Sequence, residues 1–340
     1  MLLKKSFQLI FRFSVLIYTL LLISSCNRNP EQADVSGIRL EVAANRLEQD
    51  LFSTKVEDIS FLKNRYGSFF DLFCFKLTET GAADTQLLKN HLRNFTSDAD
   101  LVEIYSSSEK IFHDFTPFNQ EFTTAFKHYH YYFPQKIIPR VITFISGFNY
   151  AVVAADSALG IGLDMYLGSD SKYYPALQFP RYKIVRMRKE YLAADAMRGW
   201  AQSEWEQDAQ QSDLLSQMIY EGKILYFLNS MLPDVADTIK TGYTLAQLNW
   251  CGANEKNTWS FFVDQKILFS ADQGQLAKFM NDGPTTNGFP KESPGAIGQW
   301  LGWKIVQAYM KKKSTVSLEQ LMNTNDYKKI LLESKYKPAR

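Results

Sequence analysis

Histidine is scarce in this chain of 340 residues: the sequence has only four, and all of them lie before residue 131. An HExxH zinc motif, a cysteine and histidine ligand set and an EF-hand loop are absent, as are the GxSxG, P-loop and GxGxxG patterns. Beyond residue 131, therefore, no side chain can bind a metal or transfer a proton as an imidazole. We predict no catalytic residue, no metal and no cofactor, and we interpret His91, His113, His128 and His130 as surface or packing residues.

The sequence also lacks a hydrophobic run of membrane-spanning length. Its clearest run, residues 13–23, is shorter than the roughly 20 residues that a spanning helix needs. The run follows three basic residues and leads into the lipobox sequence ISSC, which ends at Cys26. We predict that residues 1–25 are a secretion signal, that Cys26 receives acyl chains such as palmitate, and that residues 26–37 form a lipidated tether. The alternative is an ordinary signal peptide with a chance cysteine.

Cysteine is rare, with three residues in all. Once Cys26 is acylated, Cys74 and Cys251 remain, and they either form one disulfide in an oxidising compartment or stay as two buried thiols. Each has aromatic neighbours, in LFCF and NWC, so we favour separate buried thiols.

An excess of charge of one sign is missing. The chain has 38 basic and 36 acidic residues, and the signal holds three of the basic ones and no acid, so about 35 basic residues remain against 36 acidic residues. No basic field is left to attract a polyanion, and we predict no nucleic-acid partner.

No internal repeat and no long linker divides the rest of the chain, and 46% of the residues are hydrophobic. We predict a single globular domain over residues 38–340. Apolar residues at helical spacing predict helices over most of it, while short β-branched runs at 140–145, 150–155 and 159–167 predict strands. The expected fold class is α+β, mainly α-helical, with a small antiparallel sheet in the middle of the chain.

Two carboxylates occupy apolar surroundings. Glu221, followed by Gly222 and Lys223, lies in the nearly all-apolar segment 214–231, and Asp164 interrupts the third predicted strand. A buried carboxylate needs a partner or a raised pKa, so each is either a member of a structural pair or a functional group, and we favour structural pairing.

Two other carboxylate arrangements are open. Asp195 is three residues before Arg198, so the two side chains fit an ion pair on a solvated helix face. A pair of carboxylates across a cleft is the alternative, and it would be able to hydrolyse a glycoside.

Glycine and tryptophan alternate in SPGAIGQWLGWKIV. Gly298 and Gly302 are four residues apart, and this spacing predicts the close approach of a neighbouring helix. Trp300 and Trp303 beside them offer a third reading, a glycan-capturing surface, which requires that they be exposed. The preceding loop, residues 282–295, is rich in proline and glycine, and loops of such length are often functional.

Several stretches resemble the gliding-motility lipoprotein GldB family of Bacteroidota. They are residues 144–174, 214–234 and 281–310 and the terminal SKYKP, together with the lipobox. The resemblance covers nearly the whole mature chain. It implies an envelope lipoprotein associated with the gliding and type IX secretion machinery, without established enzymatic activity.

A fainter likeness concerns the scaffold. A short sheet, a helix and then a helix carrying Glu-Gly resemble zincin-like metallopeptidases of the gluzincin type, in which HExxH on the first helix and a later glutamate hold zinc. Glu221-Gly222 matches that glutamate, but the segment 188–205 has no histidine. The likeness implies a pseudo-metallopeptidase scaffold whose cleft, near Asp164, Glu221 and Gly222, binds a partner chain by strand addition beside residues 159–167.

The functional hypothesis is a non-catalytic envelope component, anchored by lipid and bound to envelope proteins of a gliding and secretion complex. The alternative is a periplasmic carboxylate-dependent hydrolase of peptide or glycan. Asn27, which follows Cys26, is not the aspartate associated with inner-membrane retention in some bacteria. We therefore expect the anchor in the outer membrane, with the domain facing the periplasm.

Overall fold

A small mixed sheet lies between two groups of helices in the computed structural model, which describes residues 33–53, 58–78, 86–208, 210 and 212–338. The expected signal, Cys26 and most of the expected tether fall outside these residues. The described residues from Val35 onward form one compact unit.

The sheet has the strand order β1-β2-β4-β3, with the strands β1 Asn45–Arg46, β2 Arg140–Phe144, β3 Val152–Ala155 and β4 Ala158–Gly162. β2 is parallel to β1 and to β4, and only the β3–β4 hairpin is antiparallel. The sheet is therefore mixed, not antiparallel throughout. The strand predicted at 159–167 is β4, and it ends at Gly162, where a 3₁₀ turn over Leu163–Tyr166 begins.

Helices make up most of the described chain, so the expected class, α+β and mainly helical, is confirmed. The helices before the hairpin are α1 Leu47–Ser53, α2 Ile59–Tyr66, α3 Ser68–Leu72, α4 Gln86–Ser97, α5 Ala99–Phe112 and α6 Thr116–Tyr132. Those after it are α7 Tyr173–Ala176, α8 Arg181–Ile184, α9 Leu192–Glu204, α10 Leu214–Met231, α11 Asp237–Thr241, α12 Leu245–Asp264, α13 Gln273–Met280, α14 Ile297–Lys312, α15 Leu318–Asn323 and α16 Tyr327–Ser334.

The two faces of the sheet contribute to two different apolar clusters. Val141 and Leu159 point into the larger cluster, which includes residues of α6, α9, α10 and α14. Ile142 and Phe144 point into a smaller cluster formed with α1 to α4. This alternation follows from the two-residue period of a strand, and it explains why every residue of β4 is buried while β3, at the edge of this sheet, is half-buried.

Helices α10 and α14 cross at glycines, as the Gly298 and Gly302 spacing predicts. A Cβ atom on Gly302 would lie 1.7 Å from the carbonyl oxygen of Met218, and one on Gly222 would lie 2.3 Å from the carbonyl carbon of Gly302. Only glycine permits this backbone contact, so the prediction of close helix packing is confirmed.

Cys74 and Cys251 are separate buried thiols, as favoured above. Burial raises the pKa of the Cys251 thiol to about 12. In the described part of the chain, no helix is both long and apolar enough to cross a bilayer.

Candidate functional site

A cavity of about 390 Å³, here called the central cavity, opens between the start of β3, α9, α10, the residues around α11 and the loop before α14. Its charged lining includes Arg186, Asp195, Arg198, Glu221 and Asp282. Of the three residues expected to mark a cleft, only Glu221 lines it.

Glu221 faces α9, where two donors lie four residues apart on one side of the helix. The Arg198 Nη1 atom is 3.2 Å from Glu221 Oε2, and the Gln202 Nε2 atom is 3.4 Å from Oε1. Both side chains of the ion pair are about four-fifths buried. Arg198 also donates from Nη2 to the carbonyl oxygen of Lys240, at 2.9 Å. Glu221 is thus held by protein groups on both oxygens, as a structural pair requires.

Asp195 lies one turn before Arg198 on α9 and does not sit on a solvated face. Its Oδ2 accepts a hydrogen bond from the Tyr166 hydroxyl, at 3.1 Å, and the side chain lines the central cavity. Burial raises the pKa of this carboxyl to about 6, against the opposing effect of Arg198. The expected ion pair of Asp195 and Arg198 on a solvated face is wrong: Arg198 bonds Glu221 instead, and Asp195 accepts from Tyr166.

The rim of the central cavity holds a second ion pair. Arg186 Nη2 contacts Asp282 Oδ2, at the start of the proline and glycine-rich loop. Gly242, with φ +72°, gives the Arg186 guanidinium room, since a Cβ there would lie 2.5 Å from Nη1. Thr286 closes the same loop by donating to the carbonyl oxygen of Pro294, at 2.8 Å. The loop therefore contributes its first residue, Asp282, to the cavity lining.

Asp164 and Gly222 lie away from the central cavity lining. Asp164 is fully buried, and its Oδ2 accepts hydrogen bonds from the backbone N–H groups of Ser146 (3.1 Å) and Phe148 (2.6 Å). Burial raises its pKa to about 6. It thereby fixes the connection between β2 and β3. Gly222 instead forms the helix crossing with Gly302.

Lys223 points in a third direction from α10. It is 2% exposed, and its Nζ donates to the carbonyl oxygen of Thr324 at 2.8 Å. Burial lowers its pKa to about 8. Of three consecutive residues of α10, Glu221 thus lines the central cavity, Gly222 forms the helix crossing, and Lys223 contacts the connection between α15 and α16.

Sequence reasoning missed one buried carboxylate, Glu48. It is fully buried, bonds Arg46, and accepts a hydrogen bond from the Thr143 hydroxyl at 2.7 Å, so it ties α1 to β2. Desolvation raises its pKa. The sequence does contain a feature that indicates its burial: Glu48 lies three residues before Leu51, on the apolar face of the helix.

The histidines on α6 do not face each other, since His128 is 3% exposed and His130 is exposed. Among the described residues, no group of three or more His, Cys, Asp or Glu side chains has the arrangement of a metal site. Trp300 and Trp303 are only 3% and 4% exposed. Their burial counts against the glycan-capturing surface, because neither ring is free to stack on a sugar.

The comparisons with known proteins identify one family that the chain matches. A lipoprotein-type family model described as "Gliding motility protein GldB" matches residues 28–338 of the chain. No curated protein and no solved structure matches the chain. The match spans every helix and strand described above.

Proposed function

This chain belongs to the gliding motility protein GldB family, and from that premise we propose that it acts in the cell envelope by binding partner proteins of the gliding and secretion machinery, without catalysing a reaction. The description of the family names a motility lipoprotein and no enzymatic activity. A lipid anchor at Cys26 and an outer-membrane position facing the periplasm are parts of the same proposal.

The state of Glu221 is the observation that carries the non-catalytic part of the proposal. In the metallopeptidase scaffold that the sequence resembles, two histidines four residues apart and a later glutamate hold zinc. Arg198 and Gln202 have that spacing and contact Glu221. A guanidinium has no lone pair to offer a metal, and it neutralises the carboxylate itself. These three residues do not fit a zinc ion.

The residue after Arg198 supports the same view. Gly199 stands where such a motif carries its catalytic glutamate, and it has no side chain to act as a base. A Cβ on Gly199 would lie 2.6 Å from Cγ1 of Val152, on β3. This position therefore serves the packing of α9 on the edge strand.

The surroundings of the central cavity suit a peptide segment of a partner protein. The cavity borders Ala151, just before β3, and has a size typical of ligand pockets. Gly162 N donates to Ala151 O, and in the alternating antiparallel ladder the backbone groups of Val152 and Ala154 then point outward from the sheet. Because β4 is an interior strand, we place strand addition at β3 and not beside residues 159–167.

Crosslinking in cells tests partner binding. A photoreactive amino acid at Lys183, an exposed residue of the cavity lining, should attach a small, reproducible set of envelope proteins. The matched control is Leu332 on α16, which is 77% exposed and is not part of that lining. Identical sets from both positions, or no product from Lys183, would contradict binding at the central cavity.

The anchor has its own test. Cells grown with labelled palmitate should incorporate the label into the natural chain and not into a Cys26→Ala variant. Label in both forms would refute acylation at Cys26, and it would leave the binding proposal untouched.

One observation favours the alternative, a carboxylate-dependent hydrolase. Asp195 lines the same cavity as Glu221, and its pKa of about 6 is in the range of a general acid. A hydrolase would turn over peptide or glycan and would lose that turnover when one of these two carboxylates is neutralised.

A further inference from the structure

A second and larger cavity, of about 920 Å³, lies on the other side of Tyr166 and is here called the basic pocket. Its walls are the C-terminal end of α5, the turn over residues 166–173, and residues 188–190. Its charged lining consists of four basic residues, Lys110, Lys172, Arg188 and Lys189, and two acidic ones, Asp170 and Glu190, and Ser171 adds a hydroxyl. Nothing in the expectations drawn from the sequence pointed to this pocket.

The buried donors of the basic pocket that have no hydrogen-bond partner among the described residues include the Nε atom of Arg188 and the hydroxyl of Ser171. The guanidinium of Arg188 lies 5.4 Å from the centre of the Tyr191 ring, a contact that gives the Nε atom no acceptor. Buried donors without acceptors are unfavourable, and folded proteins rarely keep them without a reason. An acceptor for either donor therefore has to come from water or from a molecule outside the described residues.

The segment that forms this wall is unusually basic. Residues 171–189 hold six lysine and arginine residues and no acid, whereas basic and acidic residues are nearly balanced over the whole chain. Lys172 is neutralised by Glu103 at 2.6 Å, and Arg186 by Asp282. Arg188 and Lys189 remain for the pocket, where exposed Lys110 joins them.

We infer that the basic pocket binds an anionic oxygen group, a phosphate or a carboxylate, through the guanidinium of Arg188 and the hydroxyl of Ser171. An arginine fork matches the two oxygens of either group, and a hydroxyl donates to a third acceptor position or to one of the same oxygens. Lys110 and Lys189 attract the anion to the entrance. This site is separate from the central cavity and does not depend on the function proposed for that cavity.

Calorimetric titration of the purified full chain in detergent, with inorganic phosphate and with succinate as probes, tests the inference. At least one probe should bind with a dissociation constant below about 1 mM. Arg188→Gln should weaken binding at least tenfold and Ser171→Ala about threefold, because each removes a donor. A preference for phosphate indicates a phosphorylated ligand, and a preference for succinate indicates a carboxylate such as a chain terminus.

Arg181→Gln is the matched control, since Arg181 is an exposed cation on the same basic segment and lines neither cavity. It should leave binding unchanged. Binding of neither probe, or equal weakening by Arg181→Gln and Arg188→Gln, would overturn the inference. If Arg188→Gln fails to fold by circular dichroism, Arg188→Lys decides: it keeps the charge and loses the fork, so it should still bind the preferred probe more weakly than the natural chain.

Discussion

The central cavity and the basic pocket share Tyr166 as a wall, but they differ in whether their arginines have a partner. In the central cavity, Glu221 is bonded by Arg198 and Asp282 by Arg186. In the basic pocket, the buried donor of Arg188 has no acceptor among the described residues. Removing one member of a paired charge leaves the other uncompensated, whereas the donor of Arg188 lines a cavity in which a bound molecule is able to supply the acceptor.

The largest effect is expected at the crossing of α10 and α14, because α10 carries Glu221 to the central cavity. Gly302→Leu places a side chain against the backbone of Met218, which cannot move aside, so we expect a loss of more than about 4 kcal/mol or no folding. Gly252→Ala is the control, because its helical site on α12 is exposed and open. It should stabilise the protein by about 0.5–1 kcal/mol in chemical denaturation. Similar values for both variants would contradict the close helix crossing.

The next effect concerns the paired charges. Arg198→Met leaves Glu221 partly buried with only Gln202 beside it, and it removes the bond to the carbonyl oxygen of Lys240. We expect a loss of about 1–3 kcal/mol in the free energy of unfolding. Adding Glu221→Gln to this variant should recover part of the loss, since no uncompensated charge then remains. Additive losses in the double variant would show that the pair is not coupled.

Asp195 should give a smaller, pH-dependent effect. Its pKa rises from 3.8 to about 6 in the folded protein, so between these values the folded state binds more protons than the unfolded chain. Protonation of this carboxyl therefore stabilises the folded protein increasingly as the pH falls through 6 toward 4. Above about pH 7 the carboxyl is fully ionised, and its burial then lowers the free energy of unfolding by the full amount. Asp195→Asn should be more stable than the natural chain at pH 8 by about 1–2 kcal/mol, allowing for partial exposure.

That difference should shrink to roughly a third at pH 4.5 and vanish only below pH 3.8, where the carboxyl is protonated in the unfolded chain as well. Unfolding by urea at the two pH values measures it. A constant difference at both pH values would mean that the carboxyl titrates normally.

The smallest effect is expected in the basic pocket. Arg188→Met exchanges the same side chains as Arg198→Met, but the Nε atom that it removes has no hydrogen-bond partner among the described residues. The free energy of unfolding of this variant should lie within about 0.5 kcal/mol of that of the natural chain or exceed it, because a desolvated donor is lost. A loss as large as that of Arg198→Met would show that Arg188 has a structural role after all.

The parts of the structure that could be predicted depend on local spacing. Helical content, the close packing at Gly298 and Gly302, and the separate thiols follow from neighbours within a few residues. The strand order could not be predicted, because β2 pairs in parallel with β1 and β4, and local spacing does not show pairing between strands that are not neighbours in the sequence. Asp195 was placed on a solvated face because the sequence does not show that Tyr166 and Glu221 surround that side of α9.

The basic pocket was out of reach for a related reason. Its donors come from three separate stretches of the chain, and the charge excess of residues 171–189 is hidden in a balanced total. A scan of charge in short windows would have found the segment, though not the unpaired Arg188.

The most direct test of a binding role without catalysis is turnover by the purified chain and by Glu221→Gln. Both proteins are incubated with peptide and peptidoglycan substrates from pH 5 to pH 8, with and without added zinc, and their melting temperatures are recorded. We expect no turnover by either protein and a lower melting temperature for Glu221→Gln, since the bond to Arg198 weakens. Turnover by the natural chain that disappears in a Glu221→Gln protein of unchanged melting temperature would contradict the account.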